Sequence, residues 1–185
     1  MNFWFLVVSM IFVRSLDAYL TYLITPDLKF ELNPLVSVGN QGWATLLSVN
    51  AFVVFFTLLL LYYSFNNSVH IYYPKEKNYT LKEFISFFLY NEKNSFYKIY
   101  FRVPYNRKVI LNFCGYLFAR VFTVWSVIIV SHNLLLLHLE NYHFYSSEWN
   151  LWVLVYLAIL PITFYFFWKF FRLEYRKYLV NARSM

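Results

Sequence analysis

Glycine is nearly missing from this chain: Gly39, Gly42 and Gly115 are the only three among 185 residues. That scarcity excludes the loops that cradle phosphates and dinucleotides, which need several backbone positions free of a Cβ. Cysteine occurs once, as Cys114, so no internal disulfide and no multi-cysteine metal site can form. The thiol lies in an apolar run, where an inert packed side chain is the simplest reading. Acidic residues are also few, 9 against 16 Lys and Arg, for a formal charge of +7. The basic residues flank apolar runs instead of forming one patch. That placement speaks against a nucleic-acid partner and for a chain that orients itself against anionic lipid headgroups.

Signatures of chemistry are missing too. Ser131-His132 has no G-x-S-x-G elbow around it. His132, His138 and His143, with Glu140 or Glu148, offer imidazole and carboxylate ligands of the kind transition metals take. Their spacing matches no H-E-x-x-H pattern and suits interfacial histidines better. Asn66-Asn67-Ser68 and Asn78-Tyr79-Thr80 match a glycosylation tripeptide that is common by chance. Nothing in the sequence calls for a cofactor.

What the chain has is apolar and aromatic bulk. Hydrophobic residues make up 61% and aromatics 25%, against roughly 45–50% apolar in an ordinary soluble domain. A hydrocarbon core of about 30 Å needs about 20 mostly apolar helical residues, and four stretches supply them: 3–24, 43–65, 109–139 and 149–171. The first is too polar at Arg14 and Asp17 for a signal peptide. The fourth contains Pro161, which predicts a kink. The expected fold is a single all-α membrane domain over 1–185, a four-helix bundle. Its excess of Phe, Tyr, Asn and Lys fits an AT-rich genome, which suggests a bacterial inner membrane or, alternatively, an organellar one.

Charge orients the spans. The connection 66–108 carries Lys75, Lys77, Lys82, Lys93, Lys98, Arg102, Arg107 and Lys108, and the tail 172–185 is basic as well. The connection after span one has only Lys29, and the one after span three has no Lys or Arg. Positive residues stay inside, so both termini are expected in the cytoplasm. Trp4 and Trp168 then fall at inner ends, and Trp43, Trp149 and Trp152 at outer ends, where indoles favour the boundary. Only Trp125 lies mid-span.

Within the 66–108 connection, Thr80-Leu81-Lys82-Glu83 has the spacing of a capping box. Phe84, Phe87 and Phe88 follow on one helical face. The simpler expectation is an amphipathic interfacial helix with its phenylalanines on the inner leaflet. The sharper one is a docking surface for a cytoplasmic partner. An aromatic-basic stretch, Phe96 to Arg102, comes after it.

Ionisable groups inside a bilayer need a reason. Arg14, Asp17 and Thr21 share a face of span one; Asn50 lies in span two; Arg120 lies in span three, with Asn112, Tyr116, Thr123 and Ser131 on roughly one stripe. At about 1.5 Å per residue, Arg14 and Arg120 are each about 16 Å from the inner ends of their spans. Asp17 and Asn50 are about 10 Å from the outer ends of theirs by the same rise. One polar layer is therefore expected, with Asp17 between Arg14 and Arg120 and Asn50 adding hydrogen bonds. Glu31 or a bound anion would offset the surplus positive charge. The outer loop holds Glu31, Asn33 and Pro34 with apolar Leu32, Leu35 and Val36, enough to fold back on the bundle.

Asp17-x-x-x-Thr21 in a first span, followed by Glu31-x-Asn33-Pro34 and a second span, resembles the motif of an uncharacterised family of small bacterial and archaeal multi-span membrane proteins. The resemblance covers roughly residues 10–55. It implies a shared fold element around Asp17, Thr21, Glu31 and Asn33, and no reaction; where the family often carries a lysine in the second span, this chain has Asn50. Two functional readings follow from the residues. One is a non-catalytic subunit or assembly partner of a membrane complex, with the Arg/Asp layer fixing helix register. The other is a membrane-embedded enzyme or small-molecule or anion-binding protein, with an outward-opening site at Arg14, Asp17, Glu31 and Arg120.

Overall fold

A backbone inside hydrocarbon must satisfy its own hydrogen bonds, and the apolar runs do so as helices. The computed structural model describes residues 2–28, 42–76, 78–139, 141–142, 146 and 149–184. Its α-helices include α1 (Phe3–Ile24), α2 (Trp43–Asn66), α3 (Leu81–Tyr90), α4 (Arg107–His138), α5 (Leu151–Leu157) and α6 (Ile159–Ser184). Two short 3₁₀ turns, His70–Tyr72 and Phe96–Tyr100, accompany them, and no strand occurs among the described residues. Four helical stretches are long and apolar enough to cross a membrane: Phe3–Ile24, Trp43–Asn66, Arg107–His138 and Leu151–Ala182. This is consistent with an integral membrane protein.

The fourth stretch runs well past the expected residue 171. It is interrupted at Ala158, between α5 and α6. Pro161 has no N–H to give the carbonyl of Leu157, so the ladder opens one turn ahead of the proline itself.

The chain divides into two compact units, and α2, α4 and α6 contribute residues to both. The first unit comprises Met1–Leu58 and Ala119–Thr163. Leu6, Met10 and Leu20 of α1 are buried in it, with Thr57, Val121, Ser126 and Val130. Trp43 donates its indole N–H to the carbonyl of Pro26 at 2.8 Å and packs edge-on against Tyr22, while Leu28 and Leu46 bury beside it. The end of α1 is thereby fastened to the start of α2.

The second unit comprises Leu59–Phe118 and Phe164–Met185. The capping box of α3 forms as the spacing predicts. Thr80 Oγ1 accepts from the Glu83 N–H, and the Glu83 carboxylate accepts from the Thr80 N–H at 2.8 Å. The helix ends at Asn91 in the left-handed conformation, which asparagine tolerates (φ 56°). Phe84 and Phe88 are wholly buried, stacked on each other and packed with Tyr73, Phe170, Phe171 and Tyr178. The phenylalanine face is therefore spent on the chain's own aromatic residues, with Phe87 set edge-on to Tyr79. Three tyrosine hydroxyls tie the segment before α3 to α6. Tyr73 donates to Glu174 at 2.6 Å, Tyr175 to the carbonyl of Tyr79 at 2.8 Å, and Tyr178 to the carbonyl of Glu76 at 2.6 Å. Burial, and then the bond to Glu174, push the Tyr73 hydroxyl far above its ordinary value. It stays a donor at any physiological pH.

Candidate functional site

The polar residues of α1 sit where three other helices can reach them. Arg14 and Asp17, one helical turn apart, pair at 3.0 Å. The same guanidinium nitrogen, Nη1, also donates to Ser126 Oγ of α4 at 3.4 Å, while Nη2 donates to Asn50 Oδ1 of α2. Asn50 is held in that pose because its Nδ2 donates to the carbonyl of Leu46 at 3.0 Å, one turn back. Asn133 of α4 donates to the other Asp17 oxygen at 3.4 Å. Both carboxylate oxygens are thus engaged. Among the described residues, no buried side-chain nitrogen or oxygen lacks a partner.

Beside this cluster lies a cavity of about 330 Å³ within the first unit. Arg14, Asp17, Thr21 and Thr25 line one side and Asn50 and Leu46 another; α4 adds Trp125, Ile129, His132 and Asn133, and α5 adds Trp152, Val155 and Tyr156. The aromatic wall is fixed as well. Trp125 donates its indole N–H to the Val155 carbonyl at 3.0 Å, in the turn before the break at Ala158, and its ring lies edge-on to Tyr156. His132 Nδ1 shares a 2.8 Å hydrogen bond with the hydroxyl of Tyr142. The described lining carries one positive and one negative side chain, so its formal charge cancels.

Arg14, Asp17, Thr21 and Asn50 are brought together as the sequence suggests. Arg120 is not one of them: it is buried, but it is not on the cavity wall, and Asp17 is held by Arg14 and Asn133 instead. Arg120 precedes Ser126, the α4 residue that meets Arg14, by six residues, which is about 9 Å along the helix and about 240° around its axis. Counting from the span ends therefore set Arg120 in the wrong layer as well as on the wrong face. The surplus positive charge expected from two arginines is therefore not a property of the described lining. Glu31 and Asn33 lie outside the described residues, as do Glu140, His143 and Glu148. Among the described residues, no group of three His, Cys, Asp or Glu side chains is arranged to hold a metal.

The expected α4 stripe divides differently. Asn112 binds the carbonyls of Ser64 and Asn67 at 3.1 and 2.8 Å in the second unit. Thr123 and Ser131 return their hydroxyls to Ala119 and Val127 of their own helix, at 2.6 and 2.8 Å. The α4 residues that do meet the cluster are Ser126 and Asn133. Seven residues apart, they occupy one face, and that spacing was the available signal. The chain matches no protein-family model, no curated protein and no solved structure, so the arrangement of these side chains alone carries the functional reading.

Proposed function

We propose that this is a multi-pass membrane protein, with both termini in the cytoplasm, whose intramembrane cavity binds a small neutral or zwitterionic molecule from the outer side. The observation that carries the reading is the cavity itself, set directly against the Arg14–Asp17 pair. A cluster that served only to fix helix register would be packed solid, since voids in a close-packed interior cost stability. Intramembrane ionisable groups beside open volume are candidates for a site by default.

The ligand class follows from the lining. A bare anion drawn to Arg14 would also face Asp17, and a bare cation the reverse. A molecule with both charges, or with hydroxyl and amide groups alone, meets the pair without excess charge. Asn50, Asn133 and Thr21 supply donors and acceptors for it, and Trp125, Trp152 and Tyr156 supply flat apolar area. Because the chain's own groups already satisfy Arg14, a ligand must compete with Asn50 and Ser126 for the guanidinium. Modest affinity is the physical consequence.

Access from outside rests on charge. The residues around the cavity come from the end of α1, the start of α2, the later part of α4 and α5. These are the span ends that the positive-inside rule assigns to the outer face. The resemblance at Asp17-x-x-x-Thr21 agrees in marking the same part of α1.

The test is ligand-dependent stabilisation in detergent. Amino acids, betaine, monosaccharides and short-chain phospholipids are screened for a rise in melting temperature, alongside native mass spectra of the purified protein. Ala18 lines the cavity, and Ala18→Phe fills it. The proposal expects one chemical class to stabilise the natural protein and to lose its effect in A18F and D17N. If no class discriminates and the native spectra carry no bound mass, the reading fails. A stoichiometric protein partner, with D17N breaking the complex, would instead establish the subunit reading.

A further inference from the structure

We infer that the loop 97–105, and not the phenylalanine face of α3, is the part of the 66–108 connection that lies on the membrane, against an anionic leaflet. Exposed large apolar residues in this connection are confined to two places among the described residues. One is Ile71. The other is Tyr97, Tyr100, Phe101, Val103 and Tyr105, each between 63% and 87% exposed. No large apolar residue described between them is exposed, because α3 and its flanks turn their aromatic side chains into the unit's own core.

Both places are next to a membrane-crossing helix. Ile71 follows the end of α2 by five residues, and Tyr105 precedes the start of α4 by two. Phe101 is six residues from Arg107, within about 20 Å of chain even when fully extended. The loop is also held in place. The N–H groups of Tyr105 and Asn106 both donate to the Leu89 carbonyl, at 3.0 and 3.2 Å. Asn106 Nδ2 binds the Phe88 carbonyl at 2.7 Å, and Tyr90 donates to the Arg102 carbonyl at 2.9 Å. A fixed loop presenting five apolar side chains beside a membrane entry point is an anchor.

Charge selects the occupant. From Phe96 to Lys108 there is no acidic residue, while Arg102, Arg107 and Lys108 are exposed. Lys98 is engaged by Glu92. Aromatic rings with adjacent cations suit the boundary of a leaflet rich in negative headgroups.

The test uses spin labels in a C114A background, at F101C and V103C in the loop and at K82C, an exposed position on α3. The protein is reconstituted in phosphatidylcholine vesicles with and without phosphatidylglycerol. Labels at 101 and 103 should collide with oxygen far more than with a water-soluble nickel chelate, and label 82 the reverse. Adding phosphatidylglycerol should deepen 101 and 103, and the triple variant R102Q, R107Q, K108Q should remove that response. Three results overturn the inference: loop labels as open to the chelate as label 82, labels shielded from both reagents as in a protein interface, or immersion unaffected by lipid charge. All substituted loop positions are exposed, and each variant's elution profile in detergent checks that it folds.

Discussion

A guanidinium within a membrane span keeps its place only while its hydrogens meet acceptors, and Arg14 meets three: Asp17, Ser126 and Asn50. Their contributions should differ. Asn50 is positioned by its own bond to Leu46, whereas Ser126 is at the long limit of hydrogen bonding, 3.4 Å. Losing a well-formed hydrogen bond to a charged group costs about 1.5–3 kcal/mol, and one stretched to 3.4 Å is worth less. Asn50→Ala is therefore expected to lower unfolding stability by about 1–3 kcal/mol and Ser126→Ala by less than about 1, as read by thermal melts in one detergent. An equal loss in both would show that the two acceptors are interchangeable. Arg14, Asp17 and Asn50 were legible in the sequence because polar groups are rare in those spans. Ser126 and Asn133 were not, because α4 holds Thr123 and Ser131 too, and composition does not separate a hydroxyl that bonds back to its own helix from one that faces a neighbour. Arg120 was legible as a polar group within a span, but its register along α4, six residues short of Ser126, was not.

At the scale of elements, what the sequence conveys best is local and what it conveys worst is the identity of the apolar neighbour. The capping box of α3 needs only residues 80–83, and it forms as read. Thr80→Ala should cost about 1 kcal/mol, the usual value of an N-cap, measured by thermal melts. The box also carries a pH signature. Hydrogen bonds from the Thr80 backbone and hydroxyl hold Glu83 below its ordinary value of 4.5. A carboxylate depressed by folding adds stability above that ordinary value, and the gain disappears as pH falls through the lower, folded-state value. Between neutral pH and that range the natural protein should lose more melting temperature than Glu83→Gln. A parallel decline would remove the box from the account. By contrast, lipid and protein both welcome a phenylalanine face, so the sequence alone did not distinguish the leaflet from Tyr73 and Tyr178 as its partner. Close approach is equally invisible. A Cβ at Gly115 would fall 2.0 Å from the Leu60 carbonyl oxygen and 2.8 Å from Ser64 Cβ. Backbone atoms do not move aside cheaply, and small residues at such contacts let membrane helices meet. Gly115→Ala should thus cost at least the roughly 1–3 kcal/mol of overpacking. Gly42→Ala, with nothing within 4 Å, is the control, read in the same melts.

The whole molecule is a question of sidedness, which helix geometry leaves open and charge addresses. α4 and the stretch Leu151–Ala182 have 32 residues each, about 48 Å of helix against about 30 Å of hydrocarbon. Both must tilt or project. In the second, Lys169, Arg172, Arg176 and Lys177 all lie in the later half, so the surplus length is charged and belongs outside the hydrocarbon. An even number of spans puts that end, the N-terminus and the connection 66–108 on one side. The membrane potential and lipid asymmetry hold Lys and Arg on the cytoplasmic face. Single cysteines at 29, 93, 143 and the C-terminus, in a C114A background, therefore have a stated outcome in intact cells. An impermeant maleimide should label 29 and 143, and should reach 93 and the tail only after permeabilisation. Labelling of 93 with protection of 29 would invert the chain. The cavity beside Arg14 and Asp17 would then open to the cytoplasm, and its ligand would have to be sought among intracellular molecules.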